Sequence, residues 1–408
     1  MNSRYAALTR DELATLLPEL LLVGQLIDRS GMAWCISEFG REEMLQIAIE
    51  EWMAASPIYT KRMQKALKYE GVDVITIFKG LQLDIGAPPQ FMDFRYTVHD
   101  RWHGEFQLDH CGALLDVEPM GEDYVRGMCH DIEDPTFDAT AVATNAKAQI
   151  RPIHRPPRTP SDRHPHCAWT VIIDESHPEV TGIPALEIVA ASRAASIELD
   201  PIDPSDEGLA DYSGPLLSDV DFGAFSHSAL VRMADEVCLQ MHLLYLSFAI
   251  AVRARAGSDT ALADSICTKQ LIGIAGVAAE RIHGALSLPG GVPGALRVLE
   301  LHPLLNPAAY VSVDVDKHFV HVRRSQAYED GAWISLCSPV ADKPLQAIVA
   351  AVDPHLRAEL SGTQSDWTVR VVETDTPAKE FGEVSVAKIS GGASWVFEER
   401  KSLPLTVV

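Results

Sequence analysis

A stretch near the middle of the chain divides the sequence into two halves. Residues 200–225 read DPIDPSDEGLADYSGPLLSDVDFGAF, rich in Pro, Asp, Ser and Gly and without a sustained apolar period. Such a composition is typical of a linker. The chain has 408 residues, which is long enough for two domains. We therefore predict a first domain over residues 1–200, a linker over 201–225 and a second domain over 226–408.

Both halves open with the apolar periodicity of helices. Thr9 followed by Glu12 predicts a capping box at the start of the first helix, and Pro57 is expected to separate two later ones. The predicted helices cover residues 11–29, 41–55, 59–69, 228–255 and 259–286.

Each half then alternates apolar and polar residues, as strands do. Two antiparallel hairpins are predicted, one in each half, followed by the tryptophan-bearing strands CAWTVII and SDWTVRVV. The predicted hairpins pair 91–98 with 105–110 and 310–315 with 319–324. Final strands are expected from Ala185 and from Gly382.

The two halves also match residue by residue. An offset of 208 pairs Cys129 with Cys337, and an offset of 198 pairs Trp169 with Trp367. We interpret this as a tandem duplication, with two unrelated α+β domains as the alternative. The predicted fold class is α+β, with two similar domains, each a helical lead-in followed by a mostly antiparallel sheet with a Cys-bearing helix. The second domain is expected to be a degenerate copy.

Charge and cysteine content limit the function classes. The formal net charge is −23 at pH 7, which argues against nucleic acid or an anionic membrane as the main partner. Seven cysteines without a recognisable export signal favour free or metal-bound thiols in a reducing cytoplasm. The most apolar stretch, residues 237–252, is interrupted by polar residues and predicts a buried helix rather than a membrane span.

Chemistry-bearing residues concentrate in the first half. Residues 99–177 hold eight of the 15 histidines and three of the seven cysteines. Thiolate and imidazole ligands together suit tetrahedral zinc, so we predict a zinc site. Its predicted ligands are Cys129, His154, His164 and Cys167. The alternative is an exposed Pro/Arg/His loop beside two buried, inert cysteines.

Acidic residues beside Cys129 could supply a general base for a metal-bound water. We predict Asp131 in that role, because Asp134 recurs as Asp342 in the second half and so points to a structural role. Helix capping and solvation are the alternative for both. His130 is the second catalytic candidate, as partner of Cys129 in a nucleophilic pair, although adjacent helix residues point about 100° apart.

The segment after this helix is locally basic. Arg151 and Arg155 belong to a group of four arginines that could hold a carboxylate substrate, or could form a solvated loop. We predict that they bind substrate together with Trp169, in a pocket walled by the Cys129 helix, the loop 151–167 and the start of the Trp169 strand.

At these residues a resemblance to known families is visible. LTRDELATLLPELL…GMAWCISEFGREEMLQIAIEEW resembles the helical start of bacterial proteins grouped with L-2-amino-thiazoline-4-carboxylic acid hydrolase. The later part, with the cysteine helix, the Asn145–Ala146 turn and HPHCAW, also resembles the 4-vinyl-reductase type of domain, in which cysteines hold zinc in phenol-sensing regulators. The resemblance covers about residues 9–175.

The resemblance has consequences for individual residues. It implies that Cys129 and Cys167 are zinc ligands and that His154 stands near a cysteine position of the pattern. Arg151 lies near the place of that pattern's acidic ligand, and His164 is the substitute that we expect.

These observations predict a cytoplasmic zinc-dependent hydrolase acting on a small organic C–N substrate, cyclic substrates included. One alternative is a non-enzymatic small-molecule-binding protein with a structural zinc, and another is a metal-dependent lyase or hydratase. A closed four-ligand site favours the binding protein, and an open position favours the enzyme. The expected partner is the small-molecule substrate, with neither nucleic acid nor membrane, and a homodimer is compatible with this interpretation.

Overall fold

The computed structural model describes residues 3–388, together with the backbone of Thr406 and Val407. Residues 389–405 and residue 408 of the predicted second domain lie outside the described residues. The α-helices are α1 (Arg10–Phe39), α2 (Arg41–Ala66), α3 (Val74–Leu81), α4 (Gly112–Val117), α5 (Glu122–Arg126), α6 (Glu133–Val142), α7 (Pro184–Ala190), α8 (Arg193–Ser196), α9 (His227–Ala256), α10 (Thr260–Ala285), α11 (Gly291–Leu301), α12 (Gln326–Asp330), α13 (Lys343–Val352) and α14 (Gly382–Lys388). A π-helical turn, Gly127–Ile132, joins α5 to α6. Short 3-10 turns cover Arg4–Ala7, Glu118–Met120, Phe222–Ala224, Pro303–Leu305 and Trp333–Leu336.

The start of α1 is capped as its sequence predicts. The Thr9 backbone N–H donates to Glu12 Oε2 at 2.7 Å, and the Glu12 N–H donates to Thr9 Oγ1 at 3.3 Å, so both halves of the capping box are present. The expected break at Pro57 is wrong, because α2 continues through it. A proline inside a helix costs about 3 kcal/mol. Burial of the flanking Ala55 and Tyr59 in the core opposes that cost.

The strands form two sheets, and the α+β class is confirmed. The strands are β1 (Met92–Val98), β2 (His103–Cys111), β3 (Ala148–His154), β4 (Cys167–Ile173), β5 (Val313–Val315), β6 (Phe319–Val322), β7 (Leu356–Gly362), β8 (Trp367–Glu373) and β9 (Thr406–Val407). The first sheet has the order β3-β4-β2-β1, antiparallel throughout, with β9 added in parallel beside β1. The second is antiparallel in the order β7-β8-β6-β5.

The two halves share the strand order and the lengths of three helix pairs, whereas β5 and β6 are shorter than β1 and β2. Helices α1 and α9 have 30 residues each, α2 and α10 have 26, and α6 and α13 have 10. The turns before β3 and β7 are built alike, since Asn145 and Asp353 each accept the N–H of the second following residue.

The strand registers differ in one respect from the sequence match. Ala148 lies opposite Ile173 and Leu356 lies opposite Glu373. Counted from these pairs, the counterpart of Trp169 in the second sheet is Val369, and Trp367 occupies the place of Cys167. The sequence match of Trp169 with Trp367 is therefore displaced by two residues. Both indoles are fully buried, so each half keeps a tryptophan in the core despite the displacement of two residues.

The helices of the two halves pack reciprocally. Helix α1 packs on α10, α2 packs on α9, and α1 also crosses α9, while the buried apolar residues of both halves form one continuous core. Helices α9 and α10 are long and apolar enough to cross a membrane, but 83% and 67% of their most apolar windows are buried inside the fold. Burial among other helices accounts for their composition.

The expected linker is packed onto the first half. The Tyr212 N–H donates to Leu67 O at 2.8 Å, and the Lys79 ammonium donates to the carbonyls of Tyr212 and Gly214 at 2.8 and 2.6 Å. Leu216 is buried. Residues 201–225 therefore connect two sets of elements around one shared core rather than two separate cores.

The final strand expected from Ala185 is wrong, and so is the described part of the one expected from Gly382, whose residues after Lys388 lie outside the described residues. The segments that begin near Ala185 and at Gly382 are the helices α7 and α14. Both contain residues with good helix propensity, and their apolar side chains Val189 and Val384 are buried against other helices. Helix packing decides the outcome here, since no strand of either sheet pairs with α7 or α14.

The crossing of α1 with the second half requires a glycine, which gives a stability prediction. A Cβ at Gly31 would lie 2.9 Å from Gln270 Nε2 and from a ring carbon of Phe248. We expect Gly31→Ala to lower the free energy of unfolding by about 1–3 kcal/mol through overpacking. Urea unfolding followed by circular dichroism measures this.

The matched control is Gly284→Ala in α10, where a Cβ meets nothing within 4 Å. Alanine is a better helix former than glycine, so this variant should gain up to about 1 kcal/mol. Equal stability of the two variants would contradict the close packing of α1 on α9 and α10.

Candidate functional site

The first half contains a cavity between α1, α2, β1 and the helical run from α5 to α6. The centre of a water-sized sphere can occupy a volume of about 80 Å³ in its inner chamber. The residues that line it are Gln25, Asp28, Arg29, Trp52, Tyr59, Leu81, Asp84, Gly86, Ala87, Met92, Phe94, Ala113, Met128, Ile132, Glu133, Thr136, Phe137 and Thr140. The lining combines apolar walls with a few converging polar groups, as ligand sites usually do.

The π-helical turn shapes one wall of this chamber. It lies between α5 and α6, so Cys129 sits within a continuous helical run. π-turns are rare and frequently lie at functional sites. Gly127 lets the turn approach α2, since a Cβ there would lie 2.9 Å from a methyl carbon of Leu45. The turn directs Cys129, Ile132 and Glu133 inward.

Buried carboxyl groups are the main chemical feature of the inner chamber. Burial raises the pKa of Glu133 to about 8 and that of Asp84 to about 6, and it also raises the pKa of Asp28. Glu133 Oε2 and Asp28 Oδ1 are buried and accept no hydrogen bond from the described residues. Next to Asp28, Glu51 is fully buried, and burial raises its pKa well above the ordinary value. Such groups are costly to bury unless a ligand or proton compensates.

Arg29 and two hydrogen-bond donors partly balance these acids. Arg29 Nη1 donates to Asp28 Oδ2 at 3.0 Å, and its Nε lies 3.4 Å from an oxygen of Asp116. The Tyr59 hydroxyl donates to Asp84 Oδ1 at 2.8 Å, and the Gly86 N–H donates to the same oxygen at 2.7 Å. Two hydrogen bonds therefore orient Asp84, whereas Glu133 Oε2 accepts none from the described residues.

An outer chamber adjoins the inner one and is almost entirely apolar. It leaves about 230 Å³ for the centre of a water-sized sphere, and Asp28, Arg29, Met128 and Ile132 line both chambers. The other residues that line it are Met32, Ala33, Ile36, Met44, Leu45, Ala48, Asp116, Val117, Met120, Tyr124 and Val386. Methionine-rich surfaces adapt to ligands of different shape. The second half contributes Val386 of α14 to this chamber.

Three buried thiols lie behind Glu133. Burial raises the pKa of Cys129 and Cys167 well above the ordinary value, and the negative charge of Glu133 raises both further. Burial also raises the pKa of Cys111 to about 12, with Glu133 the next contributor. The structure therefore groups Cys129 and Cys167, as predicted, with Cys111 and Glu133, which the sequence analysis did not assign to the site.

The two predicted histidine ligands lie elsewhere. His154 ends β3 opposite Ala168, and burial together with Arg163 lowers its pKa. His164 is exposed, and its ring lies 4.9 Å from that of His166. Among the described residues, the set of His, Cys, Asp or Glu with ligand atoms all within 4.8 Å is His99, His103 and Glu105. The predicted ligands Cys129, His154, His164 and Cys167 are not gathered in that way.

The predicted catalytic residues face away from the cavity. Asp131 is exposed, and neither it nor His130 lines the inner chamber. His130 Nε2 lies 2.7 Å from the Pro156 carbonyl oxygen. The inward carboxyl of this run is Glu133, two residues further on, because the helical rotation across the π-turn carries Asp131 to the solvent side.

None of the predicted substrate-binding residues Arg151, Arg155 and Trp169 lines the inner or the outer chamber, so the cavity is not the predicted pocket between the Cys129 helix, the loop 151–167 and the Trp169 strand. Arg155 makes an ion pair with Asp134 and lies 5.8 Å from the ring centre of Trp169. Its charge also opposes the rise in the pKa of Glu133. Arg151 instead pairs with Asp138 at 2.8 Å at the surface. Trp169 is fully buried. Of the two predicted arginines, Arg155 is the one whose charge acts on Glu133 in the lining of the chamber.

Sequence reasoning did not find the cavity acids, although signals for them exist. Asp28 and Arg29 interrupt the apolar run LLLVGQLIDRSGMAW. Because charged residues are seldom buried unless they are paired, a charged pair within a buried helix face indicates a functional or structural role. Glu133 follows Cys129 by four residues, so the two share one side of the helical run. Asp84 lies in a loop and gives no such pattern.

The second half carries other residues at the matching helix positions. Asp28 is the nineteenth residue of α1, and the nineteenth residue of α9 is Tyr245. Glu51 and Trp52 are the eleventh and twelfth residues of α2, and Gln270 and Leu271 hold those places in α10. The buried acids of α1 and α2 therefore belong to the first half and are not a requirement of the shared packing.

Comparison with protein-family models, with curated proteins and with solved structures found no match to this chain.

The raised pKa of Glu133 predicts a pH-dependent stability. The folded protein keeps the Glu133 proton up to a pKa of about 8, while the unfolded chain loses it near the ordinary value of 4.5. Between these values the folded state binds more protons, so its stability falls as pH rises. We expect Glu133→Gln to remove this contribution, so that the variant gains stability relative to the wild type from about pH 5 to about pH 8.

Urea unfolding at a series of pH values measures this difference. Asp131→Asn, which removes an exposed carboxyl two residues before Glu133, is the matched control for the loss of an acidic side chain. A Glu133→Gln profile parallel to the wild type would contradict a protonated Glu133 in the folded state.

The zinc predicted from the sequence can be tested directly, although the thiols belong to no set of three or more ligand atoms within 4.8 Å of one another among the described residues. We expect purified protein to carry about one zinc ion per chain at a thiol site, with Cys129→Ser and Cys167→Ser each removing most of it. Cys111→Ser shows whether the third thiol of the group takes part. Mass-spectrometric metal analysis gives the content, and Cys337→Ser in the second half is the control. Metal-free protein of unchanged stability and function would contradict the prediction.

Proposed function

We propose that this chain is a hydrolase that cleaves a C–N bond of a small organic substrate in the inner chamber. One observation carries the proposal. Glu133 and Asp84 line the same chamber, with pKa values raised to about 8 and about 6. Near neutral pH, Glu133 holds a proton and Asp84 is mostly ionised. Two carboxyls with different pKa values that line one chamber are suited to general acid–base catalysis.

The reaction assigns one role to each carboxyl. Asp84 removes a proton from water as the water oxygen bonds to the substrate carbon and the π electron pair of its C=O or C=N bond moves to the heteroatom. That pair re-forms the double bond as the amine leaves. Glu133 donates its proton to the nitrogen as the C–N bond breaks, so the amine leaves neutral. Proton exchange with solvent then returns Asp84 to the ionised form and Glu133 to the protonated form. Tyr59 and Gly86 orient Asp84 through their hydrogen bonds to its Oδ1.

The lining indicates the class of substrate. Asp28, Asp84, Glu133 and the adjacent Glu51 outnumber Arg29, so the inner chamber favours a compact head group with a basic nitrogen or several N–H donors. Such donors would pair with Glu133 Oε2 and Asp28 Oδ1. The apolar outer chamber favours a hydrophobic body attached to that head. A cyclic or open-chain amidine or amide of this form fits both chambers.

Zinc, the cytoplasmic location and a homodimer remain predictions alongside this proposal. A zinc ion at the thiols would supply a Lewis acid. The four ligands predicted from the sequence are not gathered, so every step above uses side chains of the inner chamber alone.

A non-enzymatic small-molecule-binding protein is the second candidate. The observation that favours it is the outer chamber, where Met32, Met44, Met120 and Met128 offer an adaptable apolar surface without a reactive group. In that case the buried acids would bind the head group without turning it over.

We also infer that the two halves arose by duplication, with the second half modified. The common strand order, the equal helix lengths and the reciprocal helix packing support this inference. Under it, the replacement of Asp28 and Glu51 by Tyr245 and Gln270 reflects loss of the site from the second half.

Turnover of a substrate panel tests the proposed hydrolase. We expect wild-type protein to hydrolyse at least one member of a panel of aryl- and alkyl-substituted amidines and amides, cyclic and open-chain. Glu133→Gln should lower kcat by about 10²–10⁴-fold, since it removes the general acid, and Asp84→Asn should do so by removing the base. Liquid chromatography with mass detection measures the products.

Asp131→Asn is the matched control and should keep wild-type turnover. Thermal-shift measurements on the same panel separate the two candidate functions. Stabilisation by ligands without products would favour the binding protein, and equal turnover by Glu133→Gln and wild type would overturn the proposed mechanism.

A further inference from the structure

We propose that the hairpin of β1 and β2 holds a divalent transition-metal ion through His99, His103 and Glu105. The ligand atoms of these three side chains lie within 4.8 Å of one another. His99 Nε2 lies 3.1 Å from Glu105 Oε1, and the ring centres of His99 and His103 are 4.5 Å apart. The site is separate from the cavity, since none of the three residues lines either chamber.

Strand geometry brings the three ligands together. His103 and Glu105 are two residues apart on β2, so their side chains point to the same face of the sheet. His99 directly follows β1, and its N–H donates to the His103 carbonyl at 3.0 Å, which makes the two histidines cross-strand neighbours. Glu105 lies opposite Thr97, one diagonal step from His99.

The hairpin turn holds this arrangement in place. Asp100 Oδ1 accepts the backbone N–H groups of Trp102 and His103, at 2.6 and 3.0 Å. The Asp100 N–H donates to the same His103 carbonyl that His99 uses, at 3.1 Å. On its other side, β2 pairs with β4, and His103 lies opposite Ile172. A paired strand and a closed turn present ligands more accurately than a free loop does.

The chemistry of the three side chains fits a metal with open coordination positions. Two imidazoles and one carboxylate on one face leave room for water or an exogenous ligand, as in two-histidine, one-carboxylate sites. The side chains of His99 and Glu105 are 32% and 37% exposed, so an ion can reach them from solvent. The net charge of −23 raises the local concentration of cations. Imidazole and carboxylate together select transition metals over calcium.

The second sheet provides a matched comparison. His321 on β6 pairs with Asp366 at a distance of 3.0 Å, which resembles the pair of His99 with Glu105 but belongs to no three-residue group among the described residues. A histidine–carboxylate ion pair alone therefore occurs elsewhere in the fold. The additional imidazole of His103 distinguishes the proposed metal site.

Cobalt(II) titration of chelator-treated, full-length protein tests the proposal. Cobalt bound by imidazole and carboxylate gives visible d–d absorption, whereas a thiolate site adds charge-transfer bands, so the two kinds of site are distinguished in one spectrum. We expect a d–d spectrum from the hairpin site, and cobalt bound at the predicted thiol site adds thiolate bands that the hairpin variants leave unchanged. His99→Ala, His103→Ala and Glu105→Gln should each weaken cobalt binding by at least about tenfold, the loss that even outer-shell substitutions cause.

Two controls make the outcome decisive. His321→Ala should keep the wild-type cobalt affinity, and so should Glu133→Gln, since this site does not depend on the proposed hydrolase. Circular dichroism confirms that each variant is folded, and Glu105→Gln preserves side-chain shape if the alanine variants are unstable. Unchanged affinity in His99→Ala and His103→Ala, or a spectrum with thiolate bands alone, would overturn the proposal.

Discussion

The reciprocal packing of four long helices is the constraint on which the rest of the structure depends. Helices α1 and α2 of the first half pack on α10 and α9 of the second, so neither half completes its core alone. Gly31 allows this approach, because Phe248 and Gln270 of the second half occupy the space of a larger side chain. Each sheet lies at the periphery of this helical centre, and the first sheet closes the cavity from one side.

The same helices carry the polar groups of the cavity into the core. Asp28 and Arg29 lie on α1 and Tyr59 lies on α2, between residues that pack against the second half. Isolated buried charges are destabilising, so the fold keeps carboxyls protonated or pairs them, as Arg29 does with Asp28 and Asp116. The matching helix positions of the second half hold Tyr245 and Gln270, although α9 buries acids of its own, Asp235 and Glu236, at other positions. The reason to connect Asp28, Asp84 and Glu133 with function is that they line one chamber.

The predicted zinc ligands show which parts of the site a local sequence pattern can predict. The sequence predicts Cys129 and Cys167 in one site, and in the fold the charge of Glu133 raises the pKa of both thiols, so the helical run and the start of β4 bring them near one carboxyl. The histidines are predicted as ligands because they precede Cys167 closely in the sequence, and closeness in sequence does not determine where a side chain points. His164 faces solvent and His154 lies opposite Ala168, away from the thiols.

The sequence by itself determined the α+β class, both hairpins, the capping box at Thr9 and the long buried helices, since each depends on local periodicity or capping chemistry. It did not determine that α2 continues through Pro57 or that the segments at Ala185 and Gly382 are helical, because burial against other helices outweighs local preference there. Only the tertiary structure decided between Asp131 and Glu133. Both are acidic and close in sequence, and the rotation of the π-turn against α2 turns one to solvent and the other into the cavity.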